Sequence, residues 1–554
     1  MASITNMSWT GTFRDLVWHF FGRFFDKESL SPQGEPAAGL FQTLGMLIPP
    51  GAFVCLLMSI FHPLGWDLVT LRFLFICFSM IAIGVVMVFE WDALFPDKRD
   101  YLILGSLPLR FFTLFLAKMA ALGLFLGIFL GAVNASGILF WPAVERQHEF
   151  FSIAGTHMMV TCAAGLFSAL AIGALRGILV TVFRGALYRR ISVLMQTVVM
   201  ALLIMFLFLS PMMGSAVGRL CRANSPYLRW FPGFWFAGWY EQIRPSFGAH
   251  APASDSVLRS LGPMAPRAMW IALGLFVLTF LPGYRSHARR VLEAPELNPR
   301  GPGRIRLAID SVINRLLGDP VECAVFHFIG QTIMRSLKHR LFLATYGGFG
   351  AAIVAMTVAS GGSSRRVPLM LSFVLVSGLR AAFNFPSDLA ANWAFRVSET
   401  TPVTAYVRAT RKWVMLYAIL PLCLLMAGFE AGRSPWNAIA FHFAFLLSSS
   451  IVLTEALFLG FQRVPFTCSR FPGKVNMVFL SVLYLFGFIF YSDWMASLED
   501  FLPRWPVFAV LYFLAVGGVL VALARTRSEI VSTEDTLEFE DDGNPEVCIL
   551  GITE

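Results

Sequence analysis

The sequence predicts an all-α polytopic membrane protein, with about twelve transmembrane helices in two parallel six-helix halves and an N-terminal interfacial amphipathic helix. Three observations predict this. Of 554 residues, 57% are hydrophobic and only 14% charged, where a soluble domain has about 25% charged; mean hydropathy is +0.68. Twelve apolar runs of spanning length alternate with polar connections. With the N-terminus placed inside, the short inside connections hold 18 Lys and Arg and the short outside ones 6, the bias that orients membrane proteins. The net charge of +9 therefore belongs to cytoplasmic loops beside anionic lipid and does not point to nucleic acid.

In chain order, residues 1–37 form a cytoplasmic or interfacial segment. Within it, Trp9–Lys27 sets Phe13, Leu16, Val17, Phe20, Phe21 and Phe24 at helical spacing among Arg14, Asp15, Arg23 and Asp26. This predicts an amphipathic helix, lying either in the membrane interface or on the protein's own cytoplasmic face. Residues 38–284 form the first six-span half, with spans at 38–61, 73–90, 112–133, 153–178, 191–213 and 268–284. Pro49 and Pro50 predict a kink or break in the first. Residues 285–340 form a cytoplasmic linker with helices expected over Ile305–Leu317 and Val321–Arg340. The second half, 341–524, has spans at 341–360, 368–385, 413–430, 437–461, 475–491 and 506–524. An even number of spans in each half makes the halves parallel repeats. Residues 525–554 form an acidic cytoplasmic tail, mobile or docking as a short strand over Glu546–Leu550.

Two connections stand out. The long outside loop 214–267 packs Trp230, Phe234, Trp235, Trp239 and Tyr240 into a short outer aromatic helix, which should dip into the outer leaflet or cap the bundle. The other is the loop from Glu90 to Lys118, EWDALFPDKRDYLILGSLPLRFFTLFLAK, with a charge cluster at Asp97, Lys98, Arg99 and Asp100 and then Leu107-Pro108-Leu109. Part of it recurs 294 residues later, where Pro402, Tyr406 and Lys412 match Pro108, Phe112 and Lys118.

Catalytic signatures are missing from the sequence. There is no GxxxxGK[ST] to cradle nucleotide phosphates, no HExxH and no GxSxG. The 8 cysteines form no CxxC pair, so neither a zinc site nor a disulfide framework is expected. His157 and His442 read as packing residues inside spans. The intramembrane charges Arg176, Arg380 and Glu455, with Lys118 near a boundary, lie close to cytoplasmic span ends. There the cations can snorkel to the interface, and Glu455 can pair with a basic neighbour such as Arg380.

Loop 90–118, through Asp97, Arg99, Asp100, Leu107-Pro108-Leu109 and Lys118, resembles the cytoplasmic segment after the second span of type-2 ABC exporter permeases. An interfacial N-terminal helix, six spans and membrane-dipping helices between spans 5 and 6 also match that family's layout. The resemblance covers the first half, and the second half chiefly through Ser398–Lys412. It departs where the connection Ser492–Trp505 is short. The resemblance implies a permease that is not itself an enzyme and binds no cofactor, with ATP on separate cytoplasmic ABC ATPase subunits, two of them. Asp97, Lys98, Arg99, Asp100, Leu107, Pro108 and Lys118 would form the coupling loop, and Ser398, Glu399, Pro402, Arg408 and Lys412 a second one. A bacterial cytoplasmic (inner) membrane is the expected location, with both termini cytoplasmic. A six-plus-six secondary carrier and a non-catalytic scaffold are the alternative readings.

Overall fold

A computed structural model describes residues 9–24, 36–62, 66–95, 98–104, 107, 109–145, 150–183, 185–243, 253–293, 304–361, 365–387, 404–432, 434–461, 463–467 and 477–533. The protein is an all-α polytopic membrane protein. Among the described residues no strand occurs beyond an isolated bridge between Ala431 and Ser434. Among the described residues, each predicted span coincides over most of its length with a helix. Nine described helices are long and apolar enough to cross a membrane. The chain divides into two compact units, Met1–Asn298 and Pro299–Glu554.

The first unit contains α1 (Trp9–Gly22), α2 (Pro36–Phe61), α3 (Leu68–Phe89), α4 (Lys98–Leu104), α5 (Phe111–Glu145), α6 (Phe150–Val182), α7 (Gly185–Arg222), α8 (Pro232–Ile243), α9 (Ala253–Leu261) and α10 (Met264–Glu293). Helix α2 continues through Pro49 and Pro50, so the chain is not broken there. Helix α3 is the centre of this unit, buried on all sides and packed against α5, α6, α7 and α8. The Asp67 carboxylate caps its start by accepting from the Thr70 amide. The amphipathic α1 packs along α5, with Leu16, Phe20 and Phe21, and Phe24 just beyond it, buried, while Trp18 on the same helix stays exposed.

The second unit contains α11 (Arg304–Leu317), α12 (Pro320–Arg335), α13 (Leu337–Ala359), α14 (Arg366–Ala382), α15 (Thr404–Glu430), α16 (Trp436–Leu457), α17 (Met477–Ile489), α18 (Met495–Phe501) and α19 (Pro506–Thr533). Helices α11 and α12, expected in a linker, pack into this unit's core through Ile313, Leu317, Val325, Phe326 and Ile329. A wide turn at Met415–Ile419 interrupts α15, and another at Phe490–Trp494 joins α17 to α18. The segment from Arg525 continues the last helix to Thr533. The Glu546–Leu550 strand expectation lies outside the described residues.

The aromatic stretch of loop 214–267 covers its own unit. Phe234, Phe236 and Tyr240 of α8 are buried, Trp235 and Trp239 pack against the same core, and Trp230 stays exposed. The Phe234 ring stacks on Phe73 of α3 at 4.5 Å. We call the α8 end of the first unit, and the corresponding α18 end of the second, the cap ends. The opposite ends are the loop ends.

Candidate functional site

At the cap end of the first unit, α3, α6 and α8 each contribute one polar side chain to an apolar core. Arg72 of α3 is 1% exposed and its Nη1 donates to Glu241 Oε1 of α8 at 2.5 Å. The guanidinium also lies 5.1 Å from the Tyr240 ring centre and 5.8 Å from that of Trp141. A charge removed from water needs a counter-charge and hydrogen bonds, and here the carboxylate and two ring faces supply them. His157 of α6 completes the group. It is 0% exposed, its ring centre is 4.9 Å from that of Phe75 and 5.4 Å from that of Trp141, and neither ring nitrogen has a hydrogen-bond partner among the described residues. Gly137 makes the room: a Cβ there would meet Phe75 at 2.5 Å and His157 Nε2 at 2.6 Å.

The cap end of the second unit repeats these three residue types on the corresponding elements. Arg365 and Arg366 lead into α14, His442 lies on α16, and Glu499 on α18. Here the partners are exchanged. His442 Nδ1 hydrogen-bonds the Glu499 carboxylate, both side chains being buried. Arg365 Nη1 instead pairs with Asp500 at 2.9 Å and donates to the Glu499 carbonyl at 3.3 Å. Arg366 pairs with Asp493 at 3.2 Å. The connection Ser492–Trp505, short in sequence, thus builds a cap of its own, by carrying helix through a wide turn into α18. Deeper in this unit, hydroxyl pairs cross the core: Ser372 with Tyr491 at 3.0 Å and Ser449 with Tyr512 at 2.8 Å.

The loop ends share a second device. Arg176 of α6 is buried, with its guanidinium 4.8 Å from the Phe95 ring centre and 5.9 Å from that of Trp91, both just beyond α3. Its Nη2 lies 3.8 Å from Asp92. In the second unit the arginine sits on the other helix. Arg380, near the end of α14, lies 4.5 Å from the Phe461 ring centre and 5.7 Å from that of Phe458, both just beyond α16. Neither arginine snorkels free, because aromatic faces at the span ends offer a closer partner. Glu455 does not pair with Arg380. It pairs with Arg411 at 3.2 Å and with Arg527, since Arg380 is turned to the Leu457 carbonyl and Asn384.

The matched lysines each find a partner within their own unit, Lys118 buried and Lys412 partly exposed. Lys118 of α5 is 3% exposed, its Nζ 5.0 Å from the ring centre of Phe20 in α1 and 4.8 Å from that of Phe24 just beyond it. Lys412 of α15 pairs with Glu322 of α12 at 2.5 Å, and Arg408 joins at 2.7 Å. Each lysine therefore fastens a helix before its unit's first span, α1 in one and the core-packed α12 in the other, to the third span. Removing the buried Glu322 carboxylate as Glu322→Ala strips both cations of their partner, a loss of about 1.5–3 kcal/mol. Amide exchange over Pro320–Arg335 should accelerate while α13 and α14 hold their protection; unchanged exchange in α12 would contradict the fastening.

In the loop from Glu90 to Lys118, Asp100 is buried, paired with Arg23 just after α1 at 2.8 Å and 3.8 Å from His19 of α1. Lys98 and Arg99 lie in α4, with side chains outside the described residues, as are Asp97, Pro108, Ser398, Glu399 and Pro402 entirely. Leu102, Ile103 and Leu107 are 57%, 61% and 49% exposed, an apolar edge on a polar loop.

Sequence reasoning missed the cap residues. Arg72 reads as a span boundary, Glu241 is the one carboxylate in an aromatic stretch, and Glu499 falls in an apparent loop. A signal was present: Arg72 and Arg366 stand 294 apart, the same offset as the two lysines. Among the described residues no group of three or more His, Cys, Asp or Glu side chains is arranged to hold a metal ion. No protein-family model, curated protein or solved structure matches the chain.

Proposed function

We propose that the chain is the membrane-spanning permease component of an ATP-driven ABC-type exporter, two six-span subunits fused into one polypeptide. In this reading ATP hydrolysis comes from separate cytoplasmic ATPase subunits. The loop ends and both termini face the cytoplasm of a bacterial inner membrane, and the caps face outward. The observation that carries the reading is α4. It is a short helix between the second and third spans, held down by the Asp100–Arg23 pair and presenting Leu102, Ile103 and Leu107 outward. An element that transmits force must be fixed to its own bundle and grip a partner, and an exposed apolar edge in a polar setting marks such a grip. Contact therefore falls on the apolar edge, with Asp100 and Lys118 as internal anchors. The recurrence of the cap trio and of a stapled helix before the first span in both units supports the fused-pair reading.

Purification of the full chain from its native membranes in mild detergent tests this. A stoichiometric nucleotide-binding subunit should accompany it, and ATP hydrolysis should fall at least tenfold in Leu102→Glu/Ile103→Glu with abundance unchanged. A secondary carrier is favoured by one observation, the buried His442–Glu499 pair, since titratable groups inside spans mark proton paths. It predicts no hydrolysing partner and uptake into vesicles driven by a proton gradient alone.

A further inference from the structure

The same three residue types meet at both caps, yet only the second unit leaves an imidazole between two carboxylates. Arg365 and Arg366 are taken by Asp500 and Asp493, so Glu499 has His442 as its side-chain partner. Glu430, at the end of α15, places Oε1 3.8 Å from His442 Nε2, beyond hydrogen-bond length. An ionised Glu499 accepts from Nδ1–H, and the neutral ring that makes this bond turns the lone pair of Nε2 toward Glu430. His442 Nε2 and Glu499 Oε2 are buried without hydrogen-bond partners among the described residues. The charged groups facing the imidazole are Glu499 from α18, Glu430 from α15 and Arg365 from the turn before α14. In the first unit the carboxylate is held by an arginine, whose charge is permanent, and His157 faces that same guanidinium.

We propose that Glu430, His442 and Glu499 form a proton-binding site at the cap of the second unit, and that its occupancy sets how tightly α18 is latched to α15 and α16. One proton from bulk water adds to His442 Nε2 and returns to water on release. Bound, it turns the lone pair facing Glu430 into a donor, so the imidazolium bridges two carboxylates on two helices. Released, only the Glu499 bond remains. The site stands independently of the export reading, because it uses one unit's own side chains.

The test uses the full chain with its native cysteines replaced, in nanodiscs of phosphatidylethanolamine and phosphatidylglycerol. An environment-sensitive fluorophore is attached at Ser497→Cys, an exposed position of α18. Titration from about pH 5 to 8, the window in which histidine changes charge, should give a one-proton transition that His442→Gln abolishes. Glu430→Gln, which leaves the Glu499 bond intact, should weaken proton binding about tenfold and serves if His442→Gln fails to fold. A label at Trp230→Cys in the first unit should show no transition. A flat titration of the parent, a transition surviving His442→Gln, or one unmoved by Glu430→Gln overturns the proposal.

Discussion

Glu241→Gln leaves the Arg72 guanidinium buried without its counter-charge, and the first unit is expected to lose about 3–5 kcal/mol of stability. The size follows from burial. Arg72 and Glu241 are 1% and 3% exposed, so neither can recover its solvation by turning toward water. The rings of Trp141 and Tyr240 soften the loss without replacing a negative charge. Removing both partners should be milder than removing one. Arg72→Met/Glu241→Met puts apolar volume where the pair was, and replacing a whole buried pair is often close to neutral. Thermal melting of the purified full chain, followed by size-exclusion, should therefore rank the double variant above either single one. Equal melting of Glu241→Gln and the parent would mean that the pair does not hold the cap.

The second large effect is expected from Gly238, one turn before the cap glutamate. A Cβ there would lie 2.1 Å from the Leu258 carbonyl oxygen and 2.9 Å from the Gly262 amide nitrogen. Both obstacles are backbone, so no rotamer change relieves the clash, and α8 and α9 must part. Gly238→Ala should cost about 1–3 kcal/mol or more and speed proteolysis after Ile243. Gly123→Ala is the internal control. Nothing lies within 4 Å of a Cβ on Gly123 in α5, and replacing a mid-helix glycine gains about 0.5–1 kcal/mol. If the two variants behave alike, the α8–α9 contact is looser than its geometry.

The spans were legible because each is a long apolar run, and the side of α1 that packs was legible from the spacing of Leu16, Phe20 and Phe24. Partner choice was not. Arg72 and Glu241 are 169 residues apart, and hydropathy treats each as a boundary because it averages over neighbours. The repeat was half visible for a related reason. The offset is 294 for Arg72 and Arg366, 285 for His157 and His442, and 258 for Glu241 and Glu499. Shorter connections in the second unit erode it, so a fixed shift holds from the start of the second span to the third and fails beyond. Charges at span ends misled most. Asp100, Arg176, Lys118 and Lys412 looked available for lipid headgroups or an external partner, yet each finds an aromatic face or an opposite charge within its own unit. What stays exposed on loop 90–118 is apolar, and a search for docking charges passes over Leu102 and Ile103.

A photo-crosslinking amino acid at Ile103 reports contact between that loop and an ATPase subunit. Ile103 is 61% exposed on α4, so the substitution should leave the bundle intact. Irradiation in native membranes should join the chain to a nucleotide-binding subunit, with a yield that changes on adding ATP as that subunit closes. Crosslinks to lipid alone, in a chain that is fully inserted and abundant, would contradict it.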